Sequence, residues 1–168
     1  IYQQILQTDP NQPVALHLLG AIAHQVGKHD TAVDLITKAL TIQPDYAEAH
    51  GNLGNAFKEL GKLDEAVASY HKALAIKPDY AEAHSNLGNA LQDLGKLDEA
   101  VASYHKALSI KPDFAEAHSN VGTALRWQAA HHFAVIRRLE KSKPNTTQRR
   151  APQAARHAGA LIHQRQRD

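Results

Sequence analysis

AEAHGNLGNAFKELGKLDEAVASYHKALAIKPDY occupies residues 47–80, and AEAHSNLGNALQDLGKLDEAVASYHKALSIKPDF follows it directly at residues 81–114. The two stretches have the same length of 34 residues and differ at only six positions. Self-similarity at a fixed period of this size indicates supersecondary units that stack, because one unit alone cannot bury its apolar face. The sequence therefore predicts a solenoid whose function is binding.

The same period extends along the chain beyond these two copies. Small residues and prolines recur every 34 positions: Gly20, Gly54, Gly88 and Gly122; Ala32, Ala66, Ala100 and Ala134; Pro10, Pro44, Pro78 and Pro112. Three complete units are enough to bury a continuous core. We therefore expect about one domain of stacked units from this chain.

Each unit contains two apolar stripes of helical spacing. The stripes of 47–80 are Leu53, Ala56, Phe57 and Leu60, followed by Ala66, Tyr70, Ala73 and Leu74. Such spacing predicts two amphipathic helices. Gly61 separates them and reads as a helix stop, since glycine adopts positive φ freely, and Pro78 cannot continue the second helix.

Two further details are predicted for the helix pair. Asp79 followed by Glu82 resembles a capping box at the start of the next unit. Gly54 and Ala66 have almost no side chain, so the paired helices are expected to approach closely at these positions. A bulky residue at Gly54 should then force the helices apart.

The glycine, alanine, aromatic and proline positions resemble the tetratricopeptide repeat, strongly over residues 13–125. The resemblance implies an all-α, right-handed α-solenoid of antiparallel helix pairs with a basic, disordered C-terminal tail. The implied division is a truncated repeat's second helix at 1–12, repeats at 13–46, 47–80 and 81–114, a partial or degenerate repeat or capping helix at 115–140, and a basic low-order tail at 141–168.

The chain lacks cysteine, which excludes disulfides and thiol nucleophiles. Neither a membrane-spanning apolar run nor a signal peptide is visible, so we expect a cytoplasmic protein without a membrane partner. Because it has no initiator Met and begins within a repeat, we expect it to be a fragment of a longer protein.

The charge is divided unevenly along the chain. Residues 1–125 carry nine lysines and fifteen acidic residues, a net charge of −6, whereas residues 126–168 carry a net charge of +8. The repeat pattern stops abruptly at residue 126. The tail is therefore open to three interpretations: a translation in the wrong frame, a disordered segment, or a segment that binds nucleic acid or an anionic surface. If the frame is right, Phe133, Ala134, Ile136 and Leu139 offer the apolar face of a capping helix.

The resemblance implies that the first helix of each unit lines a concave, peptide-binding groove. The implied peptide-binding residues are Glu48, Asn52, Asn55, Glu82, Ser85, Asn86, Asn89, Asp93, Glu116 and Asn120. Three of the asparagines recur once per unit, at 52, 86 and 120, and form a ladder of carboxamides, each with donors and an acceptor. We predict that this ladder binds the backbone of an extended peptide. The alternative is that the asparagines only join neighbouring helices.

The ladder, and the sequence SNLGN at 85–89, are similar to the repeats of O-linked N-acetylglucosamine transferases. That resemblance implies a second possible role, the substrate-recruiting arm of a glycosyltransferase whose catalytic domain is missing here. The groove lacks the Lys and Arg residues of the family's clamp for acidic chaperone tails, and its carboxylates repel acidic peptides. The expected partner is a protein or extended peptide that is neutral to basic. End-to-end self-association is also expected, because stack ends expose apolar surface.

Histidines recur in the units but do not predict a metal site. His50, His84 and His118 lie one per unit, and a zinc site needs three or four ligands that converge on one point. We interpret them as packing groups. The sequence shows neither a catalytic constellation nor a phosphate loop, so we expect a non-enzymatic scaffold with no metal and no cofactor.

Overall fold

The computed structural model describes residues 2–142. Over that range the chain forms helices without any strand: α1 (Tyr2–Thr8), α2 (Pro13–Gln25), α3 (His29–Ile42), α4 (Ala47–Glu59), α5 (Leu63–Ile76), α6 (Ala81–Asp93), α7 (Leu97–Ile110) and α8 (Ala115–Ser142). The all-α class predicted from the periodicity is confirmed. Most of the basic tail predicted at 141–168, namely 143–168, lies outside the described residues.

The chain divides into two compact units, residues 1–128 and residues 129–168. In the first unit α2, α4 and α6 each contact the helix that follows, and α3 and α5 each contact the next pair. The first helices also contact one another directly, α2 with α4 and α4 with α6, whereas the second helices α3, α5 and α7 make no such contacts within residues 2–142. The first unit is thus a solenoid of helix pairs with the first helices together in one layer.

Glycines with positive φ end the first helix of three successive pairs. Gly27, Gly61 and Gly95 have φ values of 78°, 71° and 76°, which confirms the helix stop predicted at Gly61. The equivalent position in the fourth unit is Ala129, and there the helix does not stop. Because an L side chain disfavours the left-handed conformation, α8 continues as one helix of 28 residues.

In the pairs α4–α5 and α6–α7, a glycine of the first helix packs against a tyrosine ring of the second helix. A Cβ on Gly54 would lie 2.6 Å from Cε1 of Tyr70, and one on Gly88 would lie 2.5 Å from Cε1 of Tyr104. Both tyrosine side chains are completely buried. The close approach predicted at Gly54 is confirmed, and a tyrosine of the second helix occupies the space that the glycine leaves.

The predicted capping boxes are wrong. The residues that precede α4 and α6 are Tyr46 and Tyr80, and no side chain caps either helix. Asp79 lies one residue too early, because the N-cap position is occupied by Tyr80. A histidine joins the helix to the preceding turn instead: Nε2 of His84 donates to the carbonyl oxygen of Pro78 over 3.0 Å.

The same contact is made by the equivalent histidines of the units before and after, whereas the unit 13–46 has Leu16 at this position. His50 donates to Pro44 over 2.9 Å, and His118 donates to Pro112 over 2.8 Å. The contact gives these histidines a structural role, since the bond ties the first turn of α4, α6 and α8 to the segment before it.

The second unit is described only over residues 129–142. Three apolar side chains there, Phe133, Ile136 and Leu139, are 74%, 53% and 59% exposed. The capping role proposed for this face therefore stays a prediction. Within residues 2–142 no helix combines the length and the apolar character that crossing a membrane requires.

Candidate peptide-binding face

The five asparagines among the predicted peptide-binding residues, three of which form the predicted ladder, lie on the first-helix layer. Asn52 and Asn55 belong to α4, Asn86 and Asn89 to α6, and Asn120 to α8. All five side chains are half-buried. One side of each asparagine side chain is thus accessible to solvent, while the other side contacts the rest of the protein.

The ladder asparagines join neighbouring units through hydrogen bonds. Nδ2 of Asn86 donates to Oδ1 of Asn55 over 3.0 Å, and Nδ2 of Asn120 donates to Oδ1 of Asn89 over 2.9 Å. A bond between units is the alternative role considered for them from the sequence. It uses only one of the hydrogen-bonding groups of each carboxamide, so it does not exclude peptide binding.

The buried tyrosines Tyr70 and Tyr104 determine the orientation of the Asn55 and Asn89 carboxamides. The hydroxyls of Tyr70 and Tyr104 donate over 2.7 Å to Oδ1 of Asn55 and Asn89 respectively. Each of these oxygens thus accepts two hydrogen bonds, and the Nδ2 group must point elsewhere. Burial raises the pKa of Tyr104 to about 12 and also raises the pKa of Tyr70, so both hydroxyls keep the protons they donate.

We call each asparagine of the ladder a rung. The first rung, Asn52, has a different hydrogen-bond partner from the other two, Asn86 and Asn120. The position equivalent to Asn55 in the preceding unit is Ala21, which has no polar side chain. Nδ2 of Asn52 bonds instead to Nε2 of His17 over 2.8 Å, and Nδ1 of His17 lies 2.8 Å from the hydroxyl of Tyr46. His17 is the residue of α2 equivalent to Gly51 and Ser85, and its pairing with Asn52 depends on how α2 and α4 stack.

Two of the groove carboxylates are paired with lysines that are not among the predicted site residues. Nζ of Lys77 lies 3.3 Å from Glu48, and Nζ of Lys111 lies 3.7 Å from Glu82. A hydrogen bond from its own backbone N–H and the contact with Lys77 lower the pKa of Glu48. These carboxylates therefore carry less unbalanced charge than the sequence suggested. Exposed pairs of this kind contribute little to stability.

The same lysines lie over the aromatic residue that ends each unit. Nζ of Lys77 is 4.9 Å from the ring centroid of Tyr80, and Nζ of Lys111 is 4.9 Å from that of Phe114. The recurrence of KPDY and KPDF at a fixed place in the repeat is the signal that could have identified them.

Ser85 was predicted to contact a peptide, and the structure contradicts this. Its side chain is 0% exposed, and its hydroxyl has no hydrogen-bond partner among the described residues. In the preceding unit, Cε1 of Tyr80 lies 3.4 Å from where a Cβ on Gly51 would be, which shows that this position faces the aromatic residue at the end of the unit. Ser85 is thus enclosed by the packing of the helices and is not open to a ligand.

The remaining predicted residues are exposed. Asp93 lies at the end of α6, Glu82 in the first turn of α6, and Glu48 and Glu116 in the first turns of α4 and α8. Their side chains are open to solvent, and their contact with a peptide stays a prediction. No group of three or more His, Asp or Glu residues able to hold a metal ion is found within residues 2–142.

Models of known families match most of the chain. Models described as tetratricopeptide repeat match residues 1–34, 23–68 and 81–114, and a model described as TPR repeat matches residues 54–95. Together these matches cover the chain from residue 1 to residue 114.

Similar proteins point to the same repeat. The crystal structure of MamA is 30% identical with a TM-score of 0.72, and the match covers 80% of this chain and 79% of that chain. The first TPR of Spaghetti (RPAP3), solved with the HSP90 peptide SRMEEVD, is 28% identical with a TM-score of 0.69, and the match covers 72% and 96%. Small glutamine-rich tetratricopeptide repeat-containing protein 2 of Mycosarcoma maydis is 34% identical over 55 residues, which are 33% of this chain and 16% of that protein.

Proposed function

Because the chain belongs to the tetratricopeptide repeat family, we propose that it is a scaffold that binds an extended peptide segment of a partner protein across its first-helix layer. The observation that carries the proposal is the row of Asn52, Asn86 and Asn120. Each is half-buried, and each is oriented by a hydrogen bond to the neighbouring unit. Side chains held in one orientation lose less entropy when a ligand binds.

The spacing of the rungs suits a peptide in extended conformation. Helices pack about 10 Å apart, and an extended strand rises about 3.3 Å per residue. One rung therefore meets a peptide about every third residue. The backbone N–H and C=O groups of an extended segment have no internal partners, and a carboxamide can bond to either of them.

The charges beside the rungs favour a neutral or basic peptide. RPAP3 binds the HSP90 peptide SRMEEVD, which carries two adjacent glutamates. A clamp for such acidic peptides needs basic residues where this chain has Glu48, Gly51 and Asn52. Lys77 and Lys111 lie nearby, but each already has a glutamate partner. Acidic peptides are therefore expected to bind more weakly than neutral ones.

A second candidate role uses the same face. The asparagine row and the SNLGN sequence at 85–89 favour delivery of an extended substrate segment to a glycosyltransferase domain of a longer polypeptide. In that case too the repeats bind and the chemistry belongs elsewhere. A cytoplasmic location remains part of the proposal.

The test compares three synthetic peptides with blocked ends, one without ionisable side chains, one with four lysines and one with four glutamates. Binding is measured by fluorescence anisotropy to the wild type and to the triple variant Asn52→Ala, Asn86→Ala and Asn120→Ala. The control variant is Lys72→Ala with Lys106→Ala, at exposed positions of α5 and α7. Since a hydrogen bond contributes about 1 kcal/mol, the triple variant should bind the neutral peptide at least about tenfold more weakly.

The free energy of unfolding, measured in urea, separates the two roles of the asparagines. The triple variant also loses bonds between units, so its stability should fall. Reduced stability with unchanged peptide affinity would show that the asparagines only join the units. Failure of all three peptides to bind the wild type would contradict the proposal.

A further inference from the structure

We infer that His17 is a positioning residue for the first rung: neutral His17 holds the Asn52 carboxamide in one orientation, and protonated His17 reverses it. The reversal exchanges the donor and the acceptor that Asn52 offers to a peptide. This inference rests on the proposed peptide-binding function. In this inference, His17 controls whether Asn52 can bind a backbone N–H or a backbone C=O group of the peptide.

Both ring nitrogens of His17 are engaged in a buried site. The side chain is 4% exposed, and its ring meets the ring of Tyr46 edge to face with centroids 4.6 Å apart. Nε2 lies 2.8 Å from Nδ2 of Asn52, and Nδ1 lies 2.8 Å from the hydroxyl of Tyr46. The imidazole therefore cannot turn aside without breaking both contacts.

The contacts determine where the proton of neutral His17 is located. Nδ2 of Asn52 can only donate, so Nε2 must accept and carries no proton. The single proton of the neutral ring is then on Nδ1, where it is donated to the hydroxyl oxygen of Tyr46. In this state Asn52 keeps its Oδ1 and its second N–H for a ligand.

Protonation places a second N–H on Nε2, directly opposite an N–H of Asn52. Two donors at 2.8 Å repel each other, whereas rotation of the carboxamide by half a turn lets Oδ1 accept from Nε2. The NH₂ group then occupies the place that Oδ1 had. A peptide N–H that was bonded to Oδ1 now faces another donor.

The other two rungs provide an internal comparison. The partners of Asn86 and Asn120 are Asn55 and Asn89, which do not titrate. These rungs keep their orientation at any pH between 5 and 8 and hold the peptide in register. The reversed first rung must then meet a mismatched backbone group, so peptide affinity falls.

The charged and titratable groups around His17 are few. Glu48 on α4 favours protonation of His17, and its own partner is Lys77 at 3.3 Å. Tyr46, before α4, contacts the ring directly. Burial outweighs Glu48 and lowers the pKa of His17, which favours the neutral ring at pH 7.

The first experiment follows the side chains of the full ¹⁵N-labelled chain by NMR without any peptide. The ring nitrogens of His17 and the side-chain NH₂ groups of Asn52 and Asn86 are recorded from pH 8 to pH 5. The NH₂ resonances of Asn52 should shift with the same midpoint as His17, while those of Asn86 stay constant. An Asn52 signal that does not follow His17, or an equal shift at Asn86, would overturn the inference.

The second experiment measures binding of the blocked peptide without ionisable side chains at pH 7.5 and at pH 5. We expect the wild type to bind about two- to tenfold more weakly at pH 5, the loss of one hydrogen bond. His17→Gln retains an acceptor for Asn52 but cannot titrate, so its affinity should not depend on pH. His84→Gln is the matched control: the pKa of His84 is also lowered by burial, yet it contacts Pro78 and no rung, so this variant should keep the wild-type pH dependence.

The outcomes separate this inference from the proposed function. Equal affinity of the wild type at both pH values, or a pH dependence that persists in His17→Gln, would overturn it. If no peptide binds at pH 7.5, the proposed function fails, and the NMR titration still decides whether His17 orients Asn52. Should His17→Gln not fold, the wild-type titration of Asn52 against Asn86 decides the question in the same way.

Discussion

At the scale of single residues, the pairs α4–α5 and α6–α7 each depend on a glycine that faces an aromatic ring. Tyr70 and Tyr104 fill the space that Gly54 and Gly88 leave, and their hydroxyls reach the asparagines of the binding face. One contact thus serves both packing and the orientation of the site. Gly122 is the equivalent glycine of α8, and no atom of the described residues lies within 4 Å of where a Cβ on it would be.

The difference between Gly88 and Gly122 leads to opposite expectations for the same substitution. Gly88→Ala places a methyl group 2.5 Å from Tyr104, and overpacking of this kind costs about 1–3 kcal/mol. Gly122→Ala meets open space in a helix and should gain up to about 1 kcal/mol. Urea denaturation followed by circular dichroism measures both. Two changes of the same sign would contradict this account of the glycine positions.

The site residues show the limit of reasoning from single positions. The asparagine row is visible in the sequence because it recurs with the repeat. The bond between His17 and Asn52 is not visible, since it depends on a residue of a neighbouring unit, and the burial of Ser85 is not visible either, since it depends on how the helices pack.

At the scale of elements, the length of a helix is decided by one position in the turn. Gly95 has φ = 76° and separates α6 from α7, and its side-chain position is open, with nothing described within 4 Å. Ala129 takes the equivalent position in the next unit, and α8 continues past it. The turn therefore depends on backbone conformation and not on packing.

Gly95→Ala tests this dependence. An alanine held at positive φ should destabilise the chain by about 1–2 kcal/mol, without any steric clash to add to the cost. Gly95→Asn should cost less, because asparagine visits the left-handed region more readily. The measurement is the midpoint of thermal unfolding. Equal losses for Ala and Asn would argue that the cost arises from something other than φ.

At the scale of the whole molecule, apolar surface is exposed towards the end of the first unit. Leu125 is 45% exposed and Trp127 is 64% exposed on α8. Leu91, the residue of α6 equivalent to Leu125, is buried, whereas Asp93, the residue equivalent to Trp127, is a polar residue that is exposed. A solenoid generally needs a polar cap at its ends, so this surface favours association.

We therefore expect reversible self-association that grows with protein concentration and persists at high salt. Sedimentation velocity over a range of concentrations measures it. Trp127→Glu with Leu125→Glu should shift the equilibrium towards monomer, whereas Lys72→Glu, at an exposed position of α5, should not. A wild type that stays monomeric up to its solubility limit contradicts the expectation. Association that disappears with added salt would point to the opposite charges of residues 1–125 and 126–168 instead.

The sequence alone predicted the helices, their pairing and the turn glycines. This was possible because the same local pattern recurs several times with a period of 34 residues. Helical periodicity and positive φ are local properties, so they need no knowledge of neighbours. The asparagine row was also visible for this reason.

Only the stacking of the units decided the partners. It places Asn86 against Asn55 and gives Asn52 a histidine where Ala21 offers no polar group, while the packing within one unit pairs Glu48 with Lys77. These contacts join residues about thirty positions apart. Several polar side chains of similar chemistry could serve as the partner in each case, and the geometry of helix packing selects one of them. A sequence pattern names the candidates, but the distance between two side chains exists only once the helices have packed.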